Sequence, residues 1–415
     1  MKKRTYRAKK VNQINWDQVK EHLAGEAAVF AIDVAKEKQY ALLTNEDNSV
    51  SELFWWNHPQ QTPGLLNELH GLACPMTVVM ESTGTYGDAL RYQFRQIGCD
   101  IYQASAKRVA DAREVYDGVP SLHDAKAATI ITRLHREGLT RPWQELTAQE
   151  RELNALRREY DMHQSQYQRN QNRLEAYLNR HWPEVCCLLA LDSVTLENLL
   201  REYGSAEYIA ADAEAVAQKM MCWGKSRLTE KKIAQVIDSA AHTLGQPCTE
   251  AERHYLQALA EEMGHNRCQR KQAKQALEAI IRSDDELQEM ATLIGLVTTA
   301  VLMSCHLDPR RFLCARSYQK AMGLNLKERS SGRHIGQLKL TKRGSSIARR
   351  YLYFAALRLI HNDPVVKQWY HNKVDPRARN KAVIAVMRKL AKALWHVGRG
   401  EVFDANKLLT VAKAA

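Results

Sequence analysis

Two carboxylates stand where chemistry can be done. Asp33 lies at the end of an apolar, β-branched run over residues 28–34, and Glu81 lies at the end of another, PMTVVMES, at 75–82. If the two strands are neighbours, both acids reach one edge of one sheet. Carboxylate oxygens are the ligands that suit Mg²⁺. A pair of such ions a few ångströms apart serves phosphodiester chemistry by activating a nucleophile and stabilising the leaving oxygen. On spacing alone the two acids read equally well as solvated strand ends.

The distribution of charge points the same way. The chain of 415 residues carries a formal net charge of +13. Residues 325–400 hold 18 Lys/Arg against Glu328, Asp363 and Asp375, while the rest holds 42 basic and 44 acidic residues. A field so concentrated suits a polyanion, above all nucleic acid. Tyr351, Tyr353 and Phe354, beside Arg349 and Arg350, are expected to form one packed and one phosphate-facing side of a helix. Six more Lys/Arg fall in the first ten residues, which read as an arm able to lie on a phosphate backbone. Nine cysteines without CxxC spacing indicate neither a zinc site nor a disulfide framework. No apolar run approaches the roughly 18–20 residues of a membrane span, and MKKRTYRAKK has no apolar leader segment. The expectation is a cytoplasmic protein that does not enter the membrane.

The elements that must position the acids follow from periodicity. Residues 28–34, 38–44 and 50–56 read as an antiparallel meander, followed by a helix near 61–71, a strand at 75–82, a helix at 86–97 and a strand at 99–104. Helices are expected at 106–116 and 124–137. Meander strands followed by alternating strands and helices indicate an α/β domain with a mixed sheet. Residues 154–182 and 252–290 have the spacing of two long amphipathic helices, packed on each other or on a partner chain. Beyond 290 come a helix, a tight turn and a helix, then a Gly/Ser/basic stretch and a basic amphipathic helix at 380–398. The expected organisation is a basic arm (1–25), a nuclease domain (26–143), a helical, coiled-coil-like region (144–289) and a mostly helical C-terminal domain (290–415).

The segment DGVPSLHDAKAATIITRL (117–134), taken with AIDVAK around Asp33 and ESTGTYG from Glu81, resembles the DEDD-type transposases of the insertion sequence 110 family, relatives of the Piv DNA invertases. The resemblance implies a ribonuclease-H-like fold similar to the RuvC junction resolvases. It implies that Asp33, Glu81 and Asp124 bind Mg²⁺ and that the family's fourth acid falls on Ala127. Residues 124 and 127 are i and i+3, on one side of a helix, so the sequence reads D, E, D, A and is expected to be impaired in metal binding and cleavage.

The C-terminal half carries the family's other motifs in order: IGLVTTA (294–300), MGLNL (322–326), RSSGRHIG (329–336) and LTKRGSS (340–346). The resemblance implies that Ser331, or its neighbour Ser330, is a nucleophile on DNA. Arg329, Arg333, Lys339, Lys342 and Arg343 would then neutralise the phosphates around it. It further implies strand exchange through a phosphoserine linkage on donor and target DNA, and a structured bridge RNA that pairs with both. The acting form would be a homo-oligomer, a dimer or tetramer, associated with the bacterial nucleoid. The alternatives are a metal-dependent, junction-specific nuclease that uses water, and a non-catalytic nucleic-acid-binding protein.

Overall fold

The computed structural model describes residues 6–81, 84–225, 227–328, 336 and 338–409. The chain divides into two compact units, 1–145 and 146–415.

In the first unit, alternation at period two separates two faces of one sheet. Its strands are β1 (Lys9–Lys10), β2 (Ala28–Asp33), β3 (Lys38–Asn45), β4 (Ser51–Asn57), β5 (Met76–Glu81), β6 (Asp100–Ala104) and β7 (Arg141–Pro142). They lie in the order β1-β4-β3-β2-β5-β6-β7. The meander β2-β3-β4 is antiparallel, and β5 and β6 continue from β2 in parallel. One face carries Phe30, Phe54 and Trp56, covered by α1 (Trp16–Leu23), α2 (Thr62–Gly71) and α3 (Asp88–Gln96). Phe30 packs 5.8 Å from Phe54 and 5.7 Å from Phe94, centroid to centroid. The other face carries Ala31, Val79 and Ala104. It is covered by α5 (Asp124–Arg136), which packs through Ala127, Ile130, Ile131 and Leu134, while Val109 comes from α4 (Ala106–Asp111). This mixed α/β architecture is consistent with the expected ribonuclease-H-like class.

Two expectations change here. From residue 6 onward the expected basic arm is part of the fold. Lys9 and Lys10 pair in parallel with Phe54 and Trp55, and Val11, Ile14, Val19 and Leu23 are buried in the core. Apolar side chains at 11, 14, 19 and 23 give this segment something to bury, and the charge count alone did not weigh that. The helix expected over 106–116 stops at Asp111, where the chain turns from Ala112 into Val115 and on to Gly118.

The second unit is helical. Its frame is α6 (Ala148–His181) and α12 (Glu250–Arg282), 34 and 33 residues long, which run antiparallel. His163 pairs with Asn266 at 2.8 Å and Arg180 with Glu252 at 3.8 Å, so later residues of α6 meet earlier residues of α12. Between them α7 (Val185–Leu188), α8 (Val194–Glu202), α9 (Ala206–Ala211), α10 (Ala213–Gly224) and α11 (Glu230–Ala241) enclose a core that includes Trp182, Leu199 and Met220. The second long helix was expected to reach 290. It ends at Arg282, because Asp284 caps a separate 3-10 turn by accepting from the Glu286 amide.

A further core joins α13 (Gln288–Ile294), α14 (Leu296–Ser304), α15 (Ala315–Ala321), α16 (Ser346–Asn362), α17 (Pro364–Lys373), α18 (Arg379–Val397) and α19 (Ala405–Leu408). Gly295, at φ +86°, makes the expected tight turn between α13 and α14, and a Cβ there would meet the Arg358 guanidinium at 2.8 Å. The short strands β8 (Leu326–Lys327) and β9 (Lys339–Leu340) pair antiparallel. Among the described residues no single helix is long and apolar enough to cross a membrane.

Two glycines give opposite expectations. Gly344 sits at φ +150°, and an added Cβ would lie 2.2 Å from the Ala321 carbonyl oxygen. Gly344→Ala is expected to cost at least about 1–3 kcal/mol. Gly64, in α2, has open space around it, so Gly64→Ala should gain roughly 0.5–1 kcal/mol. Urea unfolding midpoints of the two variants, moving in opposite directions, check this.

Candidate active site and basic segment

The acids are positioned by the alternation that builds the core. Phe30 and Ile32 point into the aromatic face, so Ala31 and Asp33 face α5; Val79 and Glu81 do the same on β5. Ile32 pairs with Met80, so Asp33 and Glu81 follow side by side at the carboxyl ends of two parallel strands. That edge is the usual place for a site in an α/β sheet. Asp124 opens α5, whose N-cap His123 accepts from the Lys126 amide.

Polar anchors hold α5 at both ends. Lys126 is buried, and its ammonium lies 2.8 Å from Asp117 Oδ1 and 2.7 Å from the Val119 carbonyl. Tyr6 donates its hydroxyl to the other Asp117 oxygen at 2.8 Å. The Lys126 hydrogen bond, then the Val119 amide, hold the Asp117 carboxyl down at about 2. At the far end Arg136 donates to Asn48, Thr44 and the Asn45 carbonyl, at the β3–β4 turn. Neither anchor follows from the periodicity of the sequence. The one available signal was Lys126, a charge set between Ala125 and Ala127 on a face that is otherwise apolar.

The Asp33 carboxyl senses the other two acids. Asp33 is pushed up to about 7, first by burial and then by the negative charges of Glu81 and Asp124. Burial also raises Glu81. Ala127, one helical turn beyond Asp124, is 3% exposed and packs in the cluster that contains Ala31 and Val79. Its methyl therefore faces the side of the sheet that bears the acids.

Among the described residues no group of three or more His, Cys, Asp or Glu side chains is arranged to hold a metal ion. The fit to Mg²⁺ is one of donor chemistry and charge: oxygen ligands that suit a hard cation, and an Asp33 carboxyl whose proton is held first by burial and then by two acidic neighbours.

In the second unit, Ser330, Ser331, Arg329 and Arg333 lie outside the described residues. Lys339, Lys342 and Arg343 are described, exposed, and in no salt bridge with another described residue. The two arginines expected to face phosphate are engaged differently. Arg349 donates to the Met322 carbonyl at 3.1 Å and the Gly344 carbonyl at 3.0 Å, and burial lowers its pKa. It thereby staples the MGL turn to the KRG turn, where Gly323 and Gly344 pack too closely for a Cβ. Arg350 pairs with Asp161 of α6 at 2.6 Å, and the Tyr351 hydroxyl donates to the same oxygen at 3.0 Å. Arg388, not singled out in the sequence, donates to the Leu324 carbonyl at 2.9 Å.

Comparison with known families adds two findings. A model of DEDD-type IS110 proteins, described as Transposase, matches residues 30–183. A second, described as the Transposase IS116/IS110/IS902 family, matches residues 286–371. No curated protein matches the chain.

The Asp33 carboxyl has a consequence for stability. Folded, it keeps its proton up to about 7; unfolded, it releases it near its ordinary 3.8. The folded chain therefore binds more protons between these values, and stability falls as pH rises through that window. Metal-free protein is expected to unfold at lower urea at pH 8 than at pH 5, with the difference reduced in Asp33→Asn.

Proposed function

The chain belongs to the IS110 family of transposases, and we propose that it cuts and rejoins DNA with a RuvC-like Mg²⁺ site in its first unit and Ser331 of its second. The observation that supports this reading best is geometric: Asp33 and Glu81 end two paired parallel strands, and Asp124 opens the helix packed on the same face. Asp33, Glu81 and Asp124 would hold the Mg²⁺, which when bound supplies charge stabilisation to the reacting phosphate. The Ser331 hydroxyl attacks that phosphate. The new bond joins Oγ to phosphorus, the bond to the 3′ oxygen breaks, and the serine proton ends on the departing 3′-hydroxyl. The products are a 5′-phosphoserine linkage and a free 3′ end, and the reverse step rejoins strands. Lys339, Lys342 and Arg343 screen the phosphates beside the serine. Sequence choice rests with a bridge RNA, and the acting form is a homo-oligomer in which the serine of one protomer completes the acid site of another.

Ala127 favours a qualified form of this reading, in which DNA binding persists and cleavage is impaired. It also gives weight to a non-catalytic, DNA-binding role. Ala127→Asp separates the two. A buried carboxylate without a partner should cost on the order of 3 kcal/mol in metal-free protein. Under the proposal Mg²⁺ restores that stability, tightens binding and yields a covalent protein–DNA adduct that Ser331→Ala abolishes. Destabilisation without rescue by Mg²⁺, and without an adduct, would refute the assignment of position 127.

The exposed cations give an independent test. Replacing Lys339, Lys342 and Arg343 together by Gln should flatten the slope of log K against log salt on duplex DNA by about 2.7, at about 0.9 per phosphate contact. Arg350→Gln should leave that slope unchanged and lower the unfolding midpoint, because its partner is Asp161.

A further inference from the structure

The row of residues that ends at the acids continues across the sheet. Asp33 pairs with Tyr40, Tyr40 with Trp55, and Trp55 with Lys10. Cross-strand neighbours in register share a face. Lys10, Trp55, Tyr40 and Asp33 therefore form one line on the side of the sheet that α5 covers only in part. The neighbours Phe54 and Trp56 are buried on the opposite face, whereas Trp55 and Tyr40 are half-buried and Lys10 is exposed. The Lys38 ammonium lies 3.8 Å from the Trp55 ring centroid and 5.0 Å from that of Tyr40, and the Lys10 ammonium lies 5.7 Å from Trp55. A cleft of about 260 Å³ opens over the row, lined by Tyr6, Tyr40, Trp55, His123 and Asp124 among others. Two aromatic rings, two cations and a cleft that leads to a site acid thus share one surface.

Neither ring belongs to the apolar clusters that pack the two faces of the sheet. Among the described residues, neither the Trp55 indole nor the Tyr40 hydroxyl has a hydrogen-bond partner in the protein. Aromatic faces bind nucleobases by stacking, whatever their sequence, and adjacent lysines take the phosphates. A base pair inside a duplex offers no free face, so the ligand that fits is a nucleotide outside a helix. Lys38, now over the ring, can leave it for a phosphate as the base arrives, since both are electrostatic partners of an ammonium.

We propose that Tyr40 and Trp55, with Lys10 and Lys38, form a stacking subsite for an unpaired DNA nucleotide next to the phosphate presented to Asp33, Glu81 and Asp124. This rests on the reading of those acids as the DNA-cutting centre. On that reading the subsite makes the enzyme select strands that are frayed or splayed at the cut, as at a junction or fork.

The test uses the full chain and a DNA fork carrying 5-iodo-deoxyuridine at the first unpaired position, against a fully paired duplex of the same sequence. Irradiation is expected to crosslink the fork to Tyr40 or Trp55, and the fork should bind about tenfold more tightly than the duplex. The double variant Tyr40→Leu, Trp55→Leu should lose that preference while duplex binding stays within twofold, and Trp55→Phe should retain it. Lys38→Gln changes only a surface side chain, so it does not depend on how the aromatic variants fold. It should flatten the salt slope on the fork by about 0.7. Crosslinks that fall only elsewhere, an unchanged fork preference in the double variant, or capture of RNA but not DNA at these rings would overturn the subsite. In the first two cases salt-dependent duplex binding leaves the transposase reading standing. Loss of binding to both DNAs in the unaltered chain would sink both.

Discussion

Three carboxyl groups are held at one end of a sheet, and the fold of the first unit keeps them there. Burial, and then the charges of Glu81 and Asp124, oppose the ionisation of Asp33. The helix that brings Asp124 must therefore be fixed by something other than the acids. Part of the answer is size. Ala31 on β2 and Ala127 and Ala128 on α5 are almost fully buried, so the helix lies close to the strands. Larger side chains would lift it and part Asp124 from Asp33. The rest is anchoring, with Lys126 tied to Asp117 near the start of the helix and Arg136 tied to the β3–β4 turn at its end. Both cations are held by partners other than the acids, Lys126 by Asp117 and Val119 and Arg136 by Asn48, Thr44 and Asn45, and they secure the helix through these.

The second unit divides its positive charge between two roles. Arg349, Arg350 and Arg388 are fasteners whose guanidinium groups, with several donors in a fixed plane, reach backbone carbonyls or Asp161. Lys339, Lys342 and Arg343 face solvent on and just after β9. Arg349 joins the turns at Met322 and Gly344, on either side of the segment containing Ser331, and Gly323 and Gly344 supply the close approach this requires. The charge excess of residues 325–400 is therefore larger than the number of cations available to phosphate, since part of it is consumed in building the frame.

Much of the fold was legible because local patterns were strong. The meander, the parallel continuation through β5 and β6 and the helix at 124 follow from alternation and from apolar spacing, and the Gly295 turn follows from a glycine between two apolar runs. Asp33 and Glu81 were visible as the last residues of such runs. The long helices were recognised, but α6 was begun six residues late. Thr147 and Glu150 form a capping box that starts it at Ala148, a T-x-x-E signature readable in the sequence. The N-terminal segment was misjudged because charge was read and the interleaved Val11, Ile14, Val19 and Leu23 were not. The roles of Arg349 and Arg350 were not legible at all. Whether an arginine meets a phosphate or a carbonyl depends on what lies opposite, and Asp161 is separated from Arg350 by 189 positions.

Position 127 shows how closely stability and chemistry are coupled at this edge. A carboxylate there would join the acids that already hold Asp33 protonated, on a helix face packed against Ala31 and Val79. In the absence of a cation, such a group must either hold a proton or weaken the contact between α5 and the sheet. A methyl group removes that conflict. It fills the space between helix and strands, adds no charge, and relieves Asp33 of one further negative neighbour. Compared with an aspartate, it would also lack an oxygen that the proposed Mg²⁺ could use. Under the proposed assignment of position 127, the alanine would favour a well-packed first unit at the expense of cation affinity, and the exposed cations of the second unit would keep their capacity for phosphate.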